Sequence, residues 1–159
     1  MIRTLLAFFT LAFAVGCSTE APPPPEPTLA EKDTAALQGS WKISSIDETA
    51  FRLTMFEFDR ASKMTLAFSG NQFAMAIGDR QAETGTYTID TAKTPKEIVL
   101  ASSNKQPAQK FIYKFENGAL VLCGAEPGKS LLTQFKSDRE TRALALTFNK
   151  TSAPAATAQ

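Results

Sequence analysis

From residue 41 onward, the chain is a succession of short segments in which apolar and polar side chains alternate. Phe111, Tyr113 and Phe115, for example, alternate with Lys110 and Lys114. A period of two is typical of β-strands that bury one face. The alternation predicts about nine short strands, at 41–44, 64–69, 72–77, 86–90, 98–100, 110–115, 120–123, 132–137 and 143–149.

Turn-forming residues separate these segments. Asn117 and Gly118 lie between two predicted strands and are typical of a type I′ hairpin, because both positions of that turn need a positive φ. Residues 69–71, residues 78–80 and Pro95 mark further breaks. Neighbouring strands joined by short turns pair in chain order, so we expect an antiparallel up-and-down sheet, either closed as a barrel or folded as a sandwich.

Two segments depart from the strand pattern. Thr28 and Glu31 have the spacing of a capping box, and Gly39 suits a helix end, which predicts a short N-terminal helix at about 29–38. The segment 48–63 is apolar for a loop and fits either a strand or a helix. As a helix it would plug one end of the core, and as a loop over a barrel mouth it would be a lid.

The N-terminus has the pattern of a secreted protein. A basic residue, Arg3, precedes an apolar run at 5–15, which is too short to span a bilayer and predicts a signal peptide at 1–16. The small residues before Cys17 resemble the bacterial lipobox, in which the cysteine becomes the acylated first residue. Residues 17–28 would then be a proline-rich tether.

On this interpretation, the rest of the chain consists of a barrel and a C-terminal tail. The barrel would occupy 29–150, and the Ala/Thr/Ser/Pro-rich tail at 151–159 is expected to be disordered. The alternative is ordinary secretion, with cleavage after Ala14, which would leave the thiol of Cys17 free to pair with Cys123.

Composition excludes several kinds of chemistry. The 159 residues contain no His, so a Ser-His-Asp triad, a Cys-His pair and a His-containing zinc site are all ruled out. The net charge of +1 lacks the basic excess of a dedicated nucleic-acid binder. Without a neighbouring base, Cys123 is expected to be an inert buried thiol. We expect no enzyme activity, cofactor or metal.

Large side chains would point into a barrel of this kind. Phe73, Met75, Tyr87, Phe111 and Tyr113 occupy alternate positions of their strands and are the candidate ligand-binding residues. A barrel of eight or nine strands is wide enough either to be filled by its own side chains or to hold one small ligand. The sequence leaves both alternatives open.

The residues at 37–41, Leu-Gln-Gly-Ser-Trp, resemble the G-x-W opening of lipocalin-like barrels. More broadly, 37–150 resembles an uncharacterised lipocalin-like domain family that is abundant in secreted and lipid-anchored planctomycete proteins. Stretches at 85–90, 94–98, 112–113, 120–123 and 133–137 carry this likeness. The resemblance implies a lipocalin-like β-barrel of about eight to nine strands and an extracytoplasmic location, but no reaction.

Closure of such a barrel would determine which residue lies beside Trp41. The start of the first strand must lie beside the end of the last, which brings Trp41 near Lys150. Lipocalin-like barrels place a cation over this tryptophan, so Lys150 is expected to cover Trp41 and close the barrel end as a structural contact. Arg139 and Arg142 would lie toward the opposite end or in a connecting loop.

Together these features predict a lipid-anchored, extracytoplasmic binding module, held at the outer membrane or the periplasmic face through its N-terminal acyl chains. Its ligand would be small and apolar or amphipathic. The alternative is a cell-envelope interaction protein, or a structural lipoprotein, with a packed core and no internal ligand.

Replacing the lipobox cysteine tests the anchor. A Cys17→Ala chain, expressed with its signal sequence, is expected to leave the detergent phase in a detergent-partition assay, because it cannot receive acyl chains. Cys123→Ala is the matched control and should partition like the wild-type chain. Persistence of Cys17→Ala in the detergent phase would contradict lipidation at this residue.

Overall fold

The structure is a computed structural model that describes residues 25–47, 55–80, 83–104, 106–125, 129 and 132–151, with the backbone alone described at 55–57. The predicted signal peptide, Cys17, most of the proline-rich tether and residues 152–159 of the predicted tail lie outside the described residues. So do residues 48–54 of the segment whose assignment the sequence left open.

The described residues form a closed barrel of eight antiparallel strands, which confirms the predicted fold class. Each strand pairs with the next along the chain, and β8 pairs with β1. The strands are β1 (Gly39–Asp47), β2 (Met64–Ser69), β3 (Gln72–Ile77), β4 (Glu83–Asp90), β5 (Lys96–Ser102), β6 (Gln109–Glu116), β7 (Ala119–Gly124) and β8 (Leu144–Thr151). Two helices accompany them, α1 (Leu29–Leu37) before β1 and α2 (Met55–Ala61) between β1 and β2.

The two ends of the barrel differ. At one end the β2–β3 and β6–β7 connections are tight turns, and α1 lies beside them; we call this the α1 end. At the other end lie the longer connections 48–63, 103–108 and 125–143; we call this the loop end.

Helix α1 begins at a complete capping box. The Thr28 side chain accepts from the Glu31 backbone N–H, and the Glu31 carboxylate accepts from the Thr28 backbone N–H at 2.7 Å. The helix ends at Leu37, whose side chain is completely buried in the barrel core. Gly39 then starts β1 with φ +106°, a conformation that allows the chain to turn from the helix into the strand.

Trp41 joins this helix to the barrel. Its indole Nε1 donates to the Leu37 carbonyl oxygen at 2.7 Å, and its ring is 2 % exposed. Lys150 is its direct cross-strand neighbour on β8. The Lys150 ammonium lies 5.3 Å from the Trp41 ring centroid and also donates to the Ala36 carbonyl oxygen at 3.1 Å.

The pairing of β1 with β8 contains one irregularity. Ile43 faces Phe148 and Ser45 faces Thr147, so Ser44 is an extra residue on β1. A bulge of this kind reverses the alternation of faces beyond it. As a result Ile46, opposite Leu146, faces the interior together with Trp41 and Ile43.

The predicted ninth strand at 132–137 is wrong. In a closed barrel both edges of every strand are already paired, and β7 is held by β6 and β8. Residues 132–137 instead form a strap across the outside of the barrel, where Leu132 and Phe135 pack. They cover a small outward-facing apolar cluster made of Ile112, Cys123, Ala143 and Ala145.

The strap is also fastened by polar contacts. Ser137, which is 4 % exposed, donates its backbone N–H to the Asp47 carboxylate at 2.8 Å and its hydroxyl to the Asp47 carbonyl oxygen. Lys114 lies 5.1 Å from the centroid of the Phe135 ring. Arg139 and Arg142 lie in the turn after the strap, closed by the Asp138–Ala143 bridge.

Two inward-facing glycines admit large rings into the barrel. A Cβ at Gly85 would overlap the Ala101 carbonyl oxygen and lie 2.8 Å from the Phe73 ring. A Cβ at Gly124 would overlap the Phe111 ring, with no backbone atom among its closest neighbours. Backbone cannot yield locally, whereas a ring can rotate.

The two glycines therefore should not be equally sensitive. We expect Gly85→Ala to lower the free energy of unfolding by at least about 3 kcal/mol, and Gly124→Ala by about 1–2 kcal/mol. Urea unfolding followed by circular dichroism measures both. Equal losses, or a larger loss at Gly124, would contradict this packing.

Candidate functional site

The loop end of the barrel has an apolar lining on one side. Five interior side chains that pack on the core yet remain partly exposed lie here: Ile46, Met64, Met75, Phe111 and Leu146. Four of them belong to the adjacent strands β8, β1, β2 and β3, and Phe111 lies on β6. We call this group the mouth cluster. Two further side chains of this kind, Ile89 and Phe115, lie toward the α1 end.

The other side of the same opening is polar. Directly opposed residues of an antiparallel pair share a face of the sheet. Glu83 is opposite Met75, and Gln109 is opposite the buried Leu100. Both polar side chains therefore take inward positions at the rim, and Ser102, opposite Gly85, takes a third.

Beneath the mouth the barrel is filled. Four large core side chains here are at most 2 % exposed and are almost completely surrounded by other protein atoms: Leu66, Phe68, Leu122 and Phe148. The mouth cluster thus occupies only about the outer two inward positions of each strand. At about 3.3 Å per residue, the site is roughly 7 Å deep.

The α1 end is closed by polar contacts as well as by Leu37. The Tyr113 hydroxyl donates to the Asp33 carboxylate of α1 at 2.7 Å, and Lys96 donates to the same oxygen at 2.7 Å. Asp33 is 7 % exposed. Burial and the adjacent Asp33 charge raise the pKa of the Tyr113 phenol far above its ordinary value.

Tyr87 makes a second connection at this end. Its hydroxyl donates to the Gly70 carbonyl oxygen at 2.9 Å and accepts from the Gln38 side-chain amide at 2.9 Å. Gln38 also accepts from the Gly70 backbone N–H at 2.8 Å. Burial raises the pKa of this phenol. Both tyrosine hydroxyls are therefore used to hold α1 and the β2–β3 turn.

The five ligand-binding residues predicted from the sequence do not form one site. Tyr87 and Tyr113 lie toward the α1 end, and Phe73 packs over Gly85 within the buried core. Met75 and Phe111 lie in the mouth cluster. Sequence reasoning missed the other members, Ile46, Met64 and Leu146, and the polar positions at the rim.

Helix α2 lies in the connection between β1 and β2, which is at the loop end of the barrel. Its Phe58 side chain is 45 % exposed. Helix α1, in contrast, buries Leu37 completely. The helical alternative for 48–63 thus holds for 55–61, and Phe58 contributes no buried plug comparable with Leu37.

Cys123 faces outward beneath the strap and is 1 % exposed. Its sulfur lies 3.5 Å from the Lys136 carbonyl oxygen. Burial raises the pKa of this thiol to about 11. At neutral pH the thiol therefore stays protonated, and nothing in this arrangement activates it as a nucleophile.

Among the residues that the structure describes, no group of three or more Cys, Asp and Glu side chains is placed to hold a metal ion. Across the same residues, neither helix has the length and apolar character needed to cross a bilayer.

The eight-stranded up-and-down barrel, with one short helix before its first strand, defines the architecture as lipocalin-like and all-β. Comparisons with protein-family models, with curated proteins and with solved structures found no match to this chain.

The burial of Cys123 predicts slow alkylation. At pH 8, iodoacetamide should modify Cys123 in the folded chain at least about a hundredfold more slowly than in urea, because the strap must open first. Peptide mass spectrometry separates this thiol from Cys17. Phe135→Ala, which removes part of the strap's apolar contact, should increase the rate in the folded state.

The same thiol affects stability at high pH. Because folding raises its pKa, the folded chain retains a proton that the unfolded chain loses above about pH 8.5. The free energy of unfolding should therefore fall between that pH and about 11 more steeply for the wild type than for Cys123→Ala. Rapid alkylation of Cys123 in the folded chain would contradict the burial of this thiol. So would an identical pH dependence of the free energy of unfolding for the wild type and Cys123→Ala.

Proposed function

We propose that this chain is a lipid-anchored, extracytoplasmic, lipocalin-like binding module that takes a small apolar or amphipathic ligand at the loop end of its barrel. The observation that carries the proposal is the mouth cluster. Its five apolar side chains face the interior, yet each remains partly exposed at the end away from α1. Covering them with an apolar ligand would remove that surface from water.

The depth of the site limits the ligand. Because the core below Met75 and Leu146 is packed, a ligand would rest in the outer part of the barrel and would not cross it. A short alkyl chain or a single ring matches a depth of roughly 7 Å. A longer alkyl chain or a larger aromatic molecule would enter with one end and project from the mouth.

The proposed location depends on the sequence. The lipobox-like residues before Cys17 and the proline-rich stretch after it support an acylated N-terminus and a spacer that holds the barrel away from the membrane. The resemblance of 37–150 to an uncharacterised lipocalin-like domain family, abundant in secreted and lipid-anchored planctomycete proteins, is a further reason to propose this location. The partners on this proposal are the membrane, through the acyl chains, and the ligand. A binding role also suits a sequence without His, and we propose no catalysis or cofactor.

A second candidate function is an envelope interaction or structural lipoprotein with no ligand. The packed interior, where Phe68, Tyr113 and Phe148 are at most 1 % exposed, favours it. On this alternative the outer face or the loops would carry the interaction, and the mouth cluster would be ordinary end packing.

An uncharged fluorescent probe separates the two functions. N-phenyl-1-naphthylamine should bind the Cys17→Ala chain saturably, with one probe per chain and increased fluorescence. Met64→Asp should weaken this binding at least tenfold, because it places a charge among apolar contacts at the rim. Thr65→Asp is the matched control, since Thr65 is exposed on the same strand, and it should bind like its parent.

Absence of saturable binding to a folded chain would contradict the ligand-binding proposal and favour the second candidate. Equal weakening by Thr65→Asp would show that the probe does not occupy the mouth. Circular dichroism of each variant verifies that the barrel is intact.

A further inference from the structure

The mouth has two chemically distinct sides. The mouth cluster lines the opening chiefly on β8, β1, β2 and β3, whereas the inward rim positions of β4, β5 and β6 are Glu83, Ser102 and Gln109. Such a division suits a ligand that has one apolar and one polar part.

Glu83 gives the polar side its charge. It is the first residue of β4, is partly buried, and lies directly opposite Met75. The other two polar rim positions, Ser102 and Gln109, are uncharged. An anionic ligand would meet a carboxylate at this rim, and a cationic ligand would meet its complement.

Among the residues that the structure describes, the Glu83 side chain makes no hydrogen bond or ion pair. Lys63, the last residue of the connection into β2, pairs with Asp59 at 2.9 Å. Ser102 donates to Asn104 at 2.7 Å. The Glu83 oxygens therefore remain able to accept hydrogen bonds from a ligand.

We propose that the preferred ligand is a small cationic amphiphile, such as a primary amine with a short apolar chain. Its ammonium group donates to the Glu83 carboxylate, and its apolar part lies on the mouth cluster beside Met75. The inference rests on the proposed function, because it names the chemical class of ligand for the same site.

Three compounds with the same chain test the charge preference. Octylammonium, 1-octanol and octanoate are used at pH 7 to displace N-phenyl-1-naphthylamine from the Cys17→Ala chain. We expect octylammonium to displace the probe at a concentration about fivefold lower than 1-octanol requires, because one partly exposed ion pair adds a modest amount of binding free energy. Octanoate should be the weakest competitor of the three.

Substitutions at Glu83 should change this order. Glu83→Gln keeps the size and should bring octylammonium level with 1-octanol, leaving 1-octanol itself unchanged. Glu83→Lys should reverse the preference toward octanoate. Glu140→Gln is the matched control, because it removes an exposed carboxylate from the 138–143 turn at the same barrel end, and it should preserve the original order.

The outcomes distinguish the two levels of the proposal. Displacement by all three compounds without a charge preference, or a preference unaffected by both Glu83 variants, overturns the cationic ligand and leaves the mouth as a binding site. Absence of probe binding to the folded parent chain overturns both. A preference that Glu140→Gln abolishes equally would assign the effect to overall charge and would also overturn the role of Glu83.

Discussion

The pairing of β1 with β8 is the constraint on which the rest of this structure depends. With eight strands the interior is only about wide enough for its own side chains, so closure and core packing occur together. Closure also brings Lys150 onto the Trp41 ring and within hydrogen-bond distance of the Ala36 carbonyl oxygen in α1. The same closure leaves β7 with no edge to pair, so residues 132–137 lie outside as a strap.

The two ends of the closed barrel differ because α1 covers only one of them. At one end the chain enters through α1, and Leu37, Asp33 and Gln38 fill the opening with an apolar side chain and satisfied polar groups. At the other end, Ile46, Met64, Met75, Phe111 and Leu146 remain partly exposed. The mouth cluster is therefore a consequence of the placement of one short helix, which seals a single end.

Much of the fold could be predicted from the sequence because its signals are local. Alternation located the eight strands, Asn117 and Gly118 marked one hairpin, and the Thr28 capping box marked α1. The strap was mistaken for a strand because its apolar residues Leu132 and Phe135 do pack against the sheet, although they lie partly buried on its outer face. The bulge at Ser44 was also missed. It depends on the register with β8, and it alone turns Ile46 inward.

The candidate site was harder to predict, since alternation says which face a residue takes but not which end. Phe73, Tyr87 and Tyr113 were correctly expected inside, yet they lie in the packed core or at the sealed end. What differs between the ends is how charge is compensated. Asp33 sits beneath α1 with Lys96 and the Tyr113 hydroxyl at 2.7 Å each, as a buried carboxylate requires. Glu83 occupies an inward position at the other end, and its side chain makes no hydrogen bond or ion pair among the residues that the structure describes. A ligand that covers this carboxylate must supply a donor of its own or lose binding free energy. The unequal pairing of these two carboxylates is thus the physical argument for the proposal that one end of the barrel serves the fold and the other binds a ligand.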